Sequence, residues 1–351
     1  MIMAGGTGGH IFPALSVADY LRDRGWKVVW LGARTGMEAT LVPKRGYEMA
    51  WIRFSGLRGK GLVRAALLPL NLLIAFVQSA RAIFAHRPDV VLGMGGYVAF
   101  PGGMMAAFLR RPLAIHEQNS VAGLTNKVLA GVADRVLAGF PNVFGAKRRA
   151  AWTGNPVRDD IAGVAEPVSR YAGRGGPLKL LVIGGSLGAQ ALNEVVPQAL
   201  AQMPAAARPL VTHQAGAAHI GTLKANYAKA GVSVDARAFI DDMAAQYAAS
   251  DLVICRAGAS TIAELAAAGI PAVLVPFPHA VDDHQTTNAR FLADRGAAVL
   301  IPQKELTAAK LAALLATIDR PRLVTMAQAA RAVGKPDATA TVATICMELA
   351  A

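Results

Sequence analysis

The sequence predicts an α/β protein made of two doubly wound, parallel-sheet domains that face a cleft. Its 351 residues are enough for two domains that each bury a core. Short apolar runs alternate with glycine turns and helical patterns, which is the order of a parallel βαβ sheet. A strand, a Gly-Gly-hydroxyl-x-Gly turn and a helix are indicated at residues 1–20 and again at residues 179–200. This repetition predicts two similar halves.

Composition narrows the choice of partners. The chain carries 36 Lys+Arg against 23 Asp+Glu, a formal charge of +13, so we expect a phosphorylated substrate or an anionic membrane surface as partner. Aromatic residues make up only 6% and form no basic-aromatic cluster, which argues against nucleic acid. The two cysteines, Cys255 and Cys346, lack metal-site spacing and are typical of a reducing cytoplasm. The sequence shows no secretion signal and no uncharged apolar run of about 18 residues, so no membrane span is expected.

A glycine-rich loop follows the first predicted strand. Residues 1–4 are apolar, residues 5–10 read GGTGGH, and residues 12–21 have helical spacing. Such a loop before a helix can bring backbone N–H groups onto a phosphate. It is not the dinucleotide fingerprint, because G-x-G-x-x-G is absent and no acidic residue ends the second strand at residues 27–31.

The apolar segment at residues 65–77 has two interpretations. It is too short to cross a membrane and basic side chains flank it, so it is suited to a membrane interface. The alternative is a crossover helix buried against the sheet, and one helix could do both. The expected membrane patch consists of Leu68, Leu72, Phe76, Arg64 and Arg81. A second candidate patch consists of Met104, Met105 and Phe108 beside Arg110 and Arg111.

Polar residues follow the later strands of the first half. Residues 89–92 and 113–115 are apolar and are followed by GMGGY and HEQN, and residues 135–137 are predicted as the last strand. Because parallel strands end on one edge of a sheet, we expect these polar groups to be neighbours. The predicted domains are 1–155, a Gly- and Pro-rich linker 156–176, a second domain 177–335 and a C-terminal helix 336–351. A return of that helix to the first domain is one option.

Residues 251–285 form the clearest strand, turn, helix and strand unit of the second half. A helical pattern at residues 261–268 ends at Gly269, between two apolar runs. Thr261 and Glu264 have the spacing of a capping box, in which both side chains accept helix-start amides. The same segment lies at the carboxyl end of a strand, where free N–H groups favour an anionic ligand. The residues alone leave both interpretations open.

A set of short motifs in a fixed order resembles one family. The motifs are GGTGGH (5–10), SGLRGKG (55–61), GMGGY (93–97), HEQN (116–119), GNPVR (154–158), GGSLGA (184–189), FIDDM (239–243) and CRAGAST (255–261). Each motif is weak by itself, but the ordered set spans residues 1 to about 290 and is similar to the MurG family of bacterial glycosyltransferases. The resemblance implies the GT-B architecture of two Rossmann-like domains. It places the acceptor and the membrane on the N-terminal domain and the donor on the C-terminal domain.

The resemblance also implies a reaction. That reaction is the inverting transfer of N-acetylglucosamine from UDP-GlcNAc to the C4 hydroxyl of undecaprenyl-diphosphate-linked N-acetylmuramoyl-pentapeptide, a step of peptidoglycan synthesis that serves cell shape and cell division. The implied enzyme uses no cofactor and no obligatory metal. It lies peripherally on the cytoplasmic face of the inner membrane, and its partners are the two substrates and that anionic surface, with no nucleic acid.

Residue roles follow from the resemblance by position. His10 is implied as the catalytic base or as a group that orients the acceptor, with Glu117 and His116 as rival bases. The alternatives for His10 are a helix cap and a phosphate ligand. The implied donor-binding residues are Thr7, Gly8, Gly9, Asn119, Arg158, Ser186, Ile240, Ala259, Ser260, Thr261, Ile262, Ala263, Glu264 and Gln285.

Within that set, three contacts are specific. Glu264 is expected on the ribose hydroxyls, the backbone of Ile240 on uracil, and Gln285 on the sugar. Asp282 and Asp283 are adjacent, as in some metal sites, but a solvated helix start is favoured, and the chain has no Asp-x-Asp spacing for a metal-bridged diphosphate.

Three other functions compete with the implied one. A UDP-N-acetylglucosamine 2-epimerase would share the donor site without needing a lipid acceptor. A membrane-bound nucleotide-sugar sensor would bind the donor without turnover. A NAD-dependent oxidoreductase is disfavoured by the missing fingerprint.

Overall fold

A computed structural model describes residues 1–54, 67–145, 149–185 and 188–351. They divide into two compact units: Met1–Arg158 with Asp337–Ala351, and Asp159–Pro336. Three of the features predicted above lie outside the described residues, namely Arg64, Ser186 and the motif SGLRGKG.

The first unit is built on a parallel sheet. Its strands in the described residues are β1 (Ile2–Met3), β2 (Val29–Ala33), β3 (Glu48–Ile52), β4 (Val91–Gly93), β5 (Leu113–Glu117), β6 (Arg135–Ala138) and β7 (Ala151–Trp152). They lie in the order β3-β2-β1-β4-β5-β6-β7, and Ile2 is in register with Trp30 on one side and Leu92 on the other. The chain therefore winds outward in both directions from β1 and β4. In such a sheet ligands bind at the switch point, beyond the carboxyl ends of the two central strands.

The helices of the first unit pack on this sheet and on one another. In the described residues they are Gly8–Arg22, Glu38–Lys44, Leu68–His86, Ala99–Phe108, Leu124–Leu129 and the C-terminal Ala338–Ala350. Ile2 belongs to one core cluster and Met3 to another, as expected for adjacent strand residues that point to opposite faces. The C-terminal helix packs on Gly8–Arg22 and contributes Val342 and Cys346 to the cluster that contains Ile2.

The second unit repeats the arrangement. Its strands in the described residues are β8 (Lys179–Ile183), β9 (Leu210–Gln214), β10 (Asp235–Arg237), β11 (Leu252–Cys255), β12 (Ala272–Leu274) and β13 (Ala298–Leu300). All pairings are parallel, in the order β10-β9-β8-β11-β12-β13. The switch point lies between β8 and β11, so the Gly184 loop and the turn after Cys255 meet there.

Helices connect these strands. They are Asp159–Ala162, Pro167–Tyr171, Gln190–Ala201, Ile220–Ala230, Met243–Ala249, Ala259–Ala268, His284–Ala293, Ala308–Ala316 and Arg320–Val333, with short 3₁₀ turns at Ala205–Ala207, Ala217–His219, Val281–Asp283 and Gln303–Glu305. Gly188 has a φ of +77°, and a Cβ at this position would lie 1.9 Å from the Ala215 carbonyl oxygen. Only glycine therefore fits where the β8 loop enters its helix.

The segment that was predicted to link the two domains differs from the sequence-based expectation. Residues 156–176 are predicted as an irregular linker, but from Asp159 onward they belong to the second unit. Tyr171 is 7% exposed, and Arg170 donates a hydrogen bond to the carbonyl of Ala268 at 2.8 Å. Tertiary contacts hold this segment on the second unit. The hydrophobic pattern of the segment has low periodicity, so the sequence does not reveal these contacts. The first sheet also ends at Ala151–Trp152 rather than at residues 135–137, because an exposed two-residue edge strand has no apolar pattern.

Asp251 holds several elements of the second unit together. It is 0% exposed, its Oδ1 accepts from Arg174 at 2.6 Å, and its Oδ2 accepts from the Lys179 amide at 2.8 Å.

Asp251→Ala is expected to lower the free energy of unfolding by about 3–5 kcal/mol, because it leaves the largely buried guanidinium of Arg174 without its counter-charge. Calorimetric unfolding measures this loss. Asp235→Ala removes an exposed pair with Arg237 (2.7 Å) and should cost less than about 1 kcal/mol. Equal losses in the two variants would contradict the assignment.

Candidate active site

His10 lies at the switch point of the first sheet. It occupies the first turn of helix Gly8–Arg22, and its Nδ1 is 2.7 Å from Oε1 of Gln118. Gly95, in the loop after β4, has a φ of +93°, and a Cβ there would lie 2.8 Å from His10 Nδ1. A side chain at position 95 would therefore displace the imidazole. The loops GGTGGH, GMGGY and HEQN are thus neighbours at this edge of the sheet.

The two rival bases are held in structural contacts. Glu117 is 2% exposed; its Oε1 accepts from the Asn119 amide at 2.9 Å and from Asn119 Nδ2 at 3.3 Å. Its Oε2 accepts from the Gly123 amide at 3.0 Å and from Asn126 Nδ2 at 2.9 Å. These four donors use the acceptor positions that a general base needs for substrate. His116 is 0% exposed. The geometry therefore favours His10 as the base among the three.

The glycine loop before His10 is partly occupied by a carboxylate that sequence reasoning missed. Glu38 is 0% exposed; its Oε2 accepts from the Gly6 amide at 3.0 Å and its Oε1 from the Ala33 amide at 3.2 Å. No local sequence signal distinguishes this glutamate from a surface one. A phosphate cannot use the Gly6 amide while Glu38 holds it, which removes one donor of a dinucleotide site.

The expected donor contacts of the first unit lie on the rest of this loop. Thr7 is the N-cap residue of helix Gly8–Arg22, Thr7 and Gly9 are exposed, and Gly8 is partly exposed. The first N–H groups of a helix have no intrahelical partner, so this end favours an anionic group. Asn119 donates to Glu117. Arg158 is partly exposed and is the last residue of Met1–Arg158, the longer of the two segments that form the first unit.

The turn after β11 gives the second unit its site. Helix Ala259–Ala268 has Gly258 as its N-cap residue, which has no side chain to cap the helix. The capping box at Thr261 and Glu264 is therefore wrong: Thr261 already lies in the first helical turn. Oε2 of Glu264 instead accepts from the Tyr247 hydroxyl at 2.9 Å. Burial and the nearby Glu264 carboxylate raise the pKa of the Cys255 thiol, which keeps this cysteine protonated.

Side chains from two other segments fix this turn. Gln285 Oε1 accepts from the Ala257 amide at 3.2 Å and from the Phe277 amide at 2.9 Å. Asn288, which is 0% exposed and was not singled out from the sequence, donates to the Ala257 carbonyl at 3.2 Å. Arg256 donates to Gln303 Oε1 at 2.6 Å. Gln285 thus has a structural contact through Oε1, while its Nε2 group is the part suited to a ligand.

The remaining expected donor residues surround the same switch point. The hydroxyl of Ser260 is buried and has no hydrogen-bond partner among the described residues, at the start of a helix. Ile240 is 5% exposed and lies beyond β10. Ala259, Ile262 and Ala263 lie in helix Ala259–Ala268, which places their backbone at its N-terminal end.

The described part of the chain contains no group of three or more His, Cys, Asp or Glu side chains that could hold a metal ion. Asp282 and Asp283 both have positive φ, +52° and +49°, and Asp283 accepts from the hydroxyl of Thr286 at 2.7 Å. Asp283 is the N-cap residue of helix His284–Ala293, in keeping with the helix-start interpretation.

The apolar helix Leu68–His86 exposes a different stripe from the expected one. Leu68, Leu72 and Phe76 are partly buried, and the Phe76 ring lies 5.9 Å from that of Phe100. The exposed apolar side chains are Leu70 (55%), Leu73 (60%), Ile74 (38%), Val77 (44%) and Phe84 (64%). We call these five residues the apolar stripe.

The opposite side of this helix packs on the unit. Ala75, Ser79 and Ile83 are buried there, so the helix also serves as a crossover connection. Arg81 is exposed, as is Phe108 of the second candidate patch, whereas Met104 and Met105 pack partly on the core. This helix has 19 residues and extends beyond the apolar segment 65–77 that was predicted to be too short to cross a membrane; it is the one helix of the described chain with the length and composition to do so.

Buried histidines predict a loss of stability in acid. Burial lowers the pKa of His116 to about 4 and that of His213 to about 3. In the unfolded chain histidine titrates near pH 6.5, so below that pH the unfolded state binds protons that the folded state does not. Stability should therefore fall as pH drops from about 6.5, by roughly 2 kcal/mol per histidine at pH 5.

Tryptophan fluorescence can measure this effect for His116. All four tryptophans, Trp26, Trp30, Trp51 and Trp152, lie in the first unit with His116. Guanidinium unfolding followed by this signal should show a lower midpoint at pH 5 than at pH 7.5. An equal midpoint at both pH values would contradict the neutral, buried state of His116.

The chain is a two-unit α/β protein with a candidate site at the switch point of each sheet, and comparison with family models gives its class. The model of the glycosyltransferase family 28 N-terminal domain matches residues 1–138, and that of the family 28 C-terminal domain matches residues 179–342. The chain belongs to glycosyltransferase family 28.

Individual relatives agree over the full length. A protein of Cupriavidus metallidurans named UDP-N-acetylglucosamine–N-acetylmuramyl-(pentapeptide) pyrophosphoryl-undecaprenol N-acetylglucosamine transferase is 63% identical over 350 residues, covering 100% of this chain and 98% of the relative. The crystal structure of Acinetobacter baumannii MurG matches with a TM-score of 0.87 and 41% identity over 99% of both chains. A putative UDP-N-acetylglucosamine 2-epimerase from Listeria monocytogenes shares the fold (TM-score 0.63) at only 14% identity, over 97% of this chain and 93% of that one.

Proposed function

We propose that this chain transfers N-acetylglucosamine from UDP-GlcNAc to the C4 hydroxyl of undecaprenyl-diphosphate-linked N-acetylmuramoyl-pentapeptide, with inversion at the anomeric carbon. The observation that carries the proposal is the 63% identity, over the whole chain, to a protein named for this transfer. The reaction is a step of peptidoglycan synthesis, and so of cell shape and division.

His10 acts as the base in the proposed mechanism. Its Nδ1 contacts Gln118, which leaves Nε2 to receive a proton. The acceptor hydroxyl oxygen attacks the anomeric carbon while its proton passes to Nε2. The bond between that carbon and the diphosphate oxygen breaks, and UDP leaves with the electron pair. General-base assistance of this kind contributes about 10²- to 10⁴-fold to a rate.

The second unit binds the donor in this mechanism. The N-terminal end of helix Ala259–Ala268 and the Ser260 hydroxyl offer N–H and O–H donors to the diphosphate, on which negative charge develops. Glu264, whose Oε2 accepts from the Tyr247 hydroxyl, also accepts from the ribose hydroxyls, because each carboxylate oxygen has two lone pairs. The helix dipole and these donors act in place of a metal, and we propose that the enzyme needs neither metal nor cofactor.

The apolar stripe is proposed to hold the protein peripherally on the cytoplasmic face of the inner membrane. Four of its members, Leu70, Leu73, Val77 and Phe84, recur at i, i+3, i+7 and i+14 and so share one side of the helix. The formal charge of +13 favours an anionic lipid surface.

Leu73→Glu is expected to weaken sedimentation with anionic vesicles at low salt about 10-fold or more, because it places a charge in the centre of the inserted face. Leu210→Glu is the matched control: Leu210 is 59% exposed, close to the 60% of Leu73, but lies in the second unit. The control variant should bind as the wild type does. Equal binding of the wild type and both variants would rule out the stripe as the membrane contact.

UDP release tests the proposed function against its rivals. With EDTA present, UDP should appear only when both UDP-GlcNAc and the lipid-linked acceptor are supplied. A 2-epimerase would change the sugar of UDP-GlcNAc without the acceptor, and a sensor would bind the donor without releasing UDP. Either result would contradict the transferase proposal, and activity lost in EDTA and restored by a divalent cation would contradict the metal-free mechanism.

A further inference from the structure

A buried chain of hydrogen bonds runs from the backbone to His10. His116 Nε2 lies 2.9 Å from the Gly154 carbonyl oxygen, and Gln118 Nε2 lies 3.0 Å from His116 Nδ1. Gln118 Oε1 then lies 2.7 Å from His10 Nδ1. His116 and Gln118 are 0% and 1% exposed, so water does not compete for the contacts between these two side chains.

Each proton position in this chain follows from the one before. The Gly154 carbonyl can only accept, so His116 Nε2 carries a hydrogen. Burial lowers the pKa of His116 to about 4, so this imidazole is neutral near pH 7 and its Nδ1 has a lone pair. Only the amide N–H group of Gln118 can face that lone pair.

The orientation of the Gln118 amide is therefore fixed. Its Nε2 group also donates to the His116 carbonyl at 3.0 Å, which a flipped amide could not do. In the flipped form, the amide oxygen of Gln118 would face two acceptors, the Nδ1 lone pair and the carbonyl oxygen of His116. Oε1 consequently faces His10, and His10 Nδ1 must carry the hydrogen in that contact.

We propose that Gln118 is a positioning residue that selects the tautomer of His10, holding Nδ1 protonated and Nε2 as the proton acceptor. Its role in turnover rests on the proposed function of His10 as the base. A histidine whose second nitrogen is fixed by a hydrogen bond has a defined acceptor atom, which a freely exchanging imidazole lacks. Gly95 adds a steric constraint, because a Cβ there would lie 2.8 Å from His10 Nδ1.

Nitrogen NMR on ¹⁵N-histidine-labelled full-length protein tests the tautomer directly. The wild-type His10 signal, assigned by its loss in His10→Gln, should show the Nδ1–H tautomer at neutral pH. Gln118→Met keeps a similar volume but has no amide, so His10 should shift toward a mixture of tautomers or toward Nε2–H.

Kinetics connect the tautomer to turnover. Gln118→Met should lower kcat by about 10- to 1000-fold, which is less than the full contribution of about 10²- to 10⁴-fold from general-base catalysis, with little change in donor KM. Gln214→Met is the control, since Gln214 is a 4% exposed glutamine of the second unit and its loss should leave the His10 signals unchanged.

Two results would overturn the proposal. One is an Nε2–H tautomer for His10 in the wild type, which does not depend on a variant at position 118. The other is an unchanged Nδ1–H tautomer in folded Gln118→Met. The spectra do not depend on catalysis. If the wild type were inactive but showed the expected tautomer, the proposed function would be contradicted, and the proposal that Gln118 selects the tautomer of His10 would stand.

Discussion

His10→Ala is expected to lower kcat by about 10²- to 10⁴-fold while the donor KM stays nearly constant. The imidazole is the only one of the three candidate bases that is not enclosed by structural contacts: Glu117 accepts from four N–H donors and His116 is 0% exposed. Loss of the base removes an interaction made in the transition state and leaves donor binding to the second unit. Initial rates of UDP release at saturating acceptor measure both constants.

His86→Ala provides the control for this prediction. His86 is a histidine of the same unit, and its Nδ1 lies 3.6 Å from Glu48 Oε1. Its replacement therefore removes an imidazole that is not among the candidate site residues. It should retain the wild-type kcat. A wild-type kcat in His10→Ala, or a defect confined to the donor KM, would show that His10 is not the base.

Glu264→Ala is expected to weaken UDP binding about 10- to 100-fold, the usual loss when hydrogen bonds to a charged group are removed. Glu264 projects from helix Ala259–Ala268 and shares its carboxylate with the Tyr247 hydroxyl at 2.9 Å. Titration calorimetry with UDP measures the change in Kd. Tyr247→Phe is the matched control: it removes the internal hydrogen bond but keeps the carboxylate, and it should change Kd much less. A Kd for Glu264→Ala equal to that of the wild type would show that Glu264 is a structural residue only.

The alternation of strands and helices was predictable because apolar runs and glycine turns are local features. Strand β8 has the predicted bounds, Lys179–Ile183, and helix Ala259–Ala268 begins two residues before its predicted start. That small shift changes the chemistry, because the N-cap residue becomes Gly258. Thr261 and Glu264 then lie within the helix, and Thr261 is not its N-cap residue.

The orientation of the apolar helix could not be predicted for a different reason. Leu68–His86 is apolar on nearly all sides, so its sequence contains no polar face to set the rotation about its axis. In the structure the Phe76 ring lies 5.9 Å from that of Phe100, in another helix, and Leu73 is 60% exposed. Such a contact between helices has no signature in the local pattern.

The candidate site was predictable in its motifs but not in its internal contacts. GGTGGH and HEQN contain His10 and Gln118, which are 108 positions apart in the chain. Strand order brings them together, and the sequence does not give that order. The same reason explains why Glu38 was missed: its role depends on the Gly6 amide, 32 positions away.

Transfer of labelled sugar is the most direct test of the central claim. Purified wild-type protein would be incubated with UDP-GlcNAc radiolabelled in the sugar and with undecaprenyl-diphosphate-linked N-acetylmuramoyl-pentapeptide in detergent, and the lipid would then be extracted. We expect label to enter the lipid fraction in amounts equal to the UDP released, and His10→Ala to lose most of this transfer. UDP release without label in the lipid, or label that stays in the nucleotide fraction as an epimer, would contradict the claim.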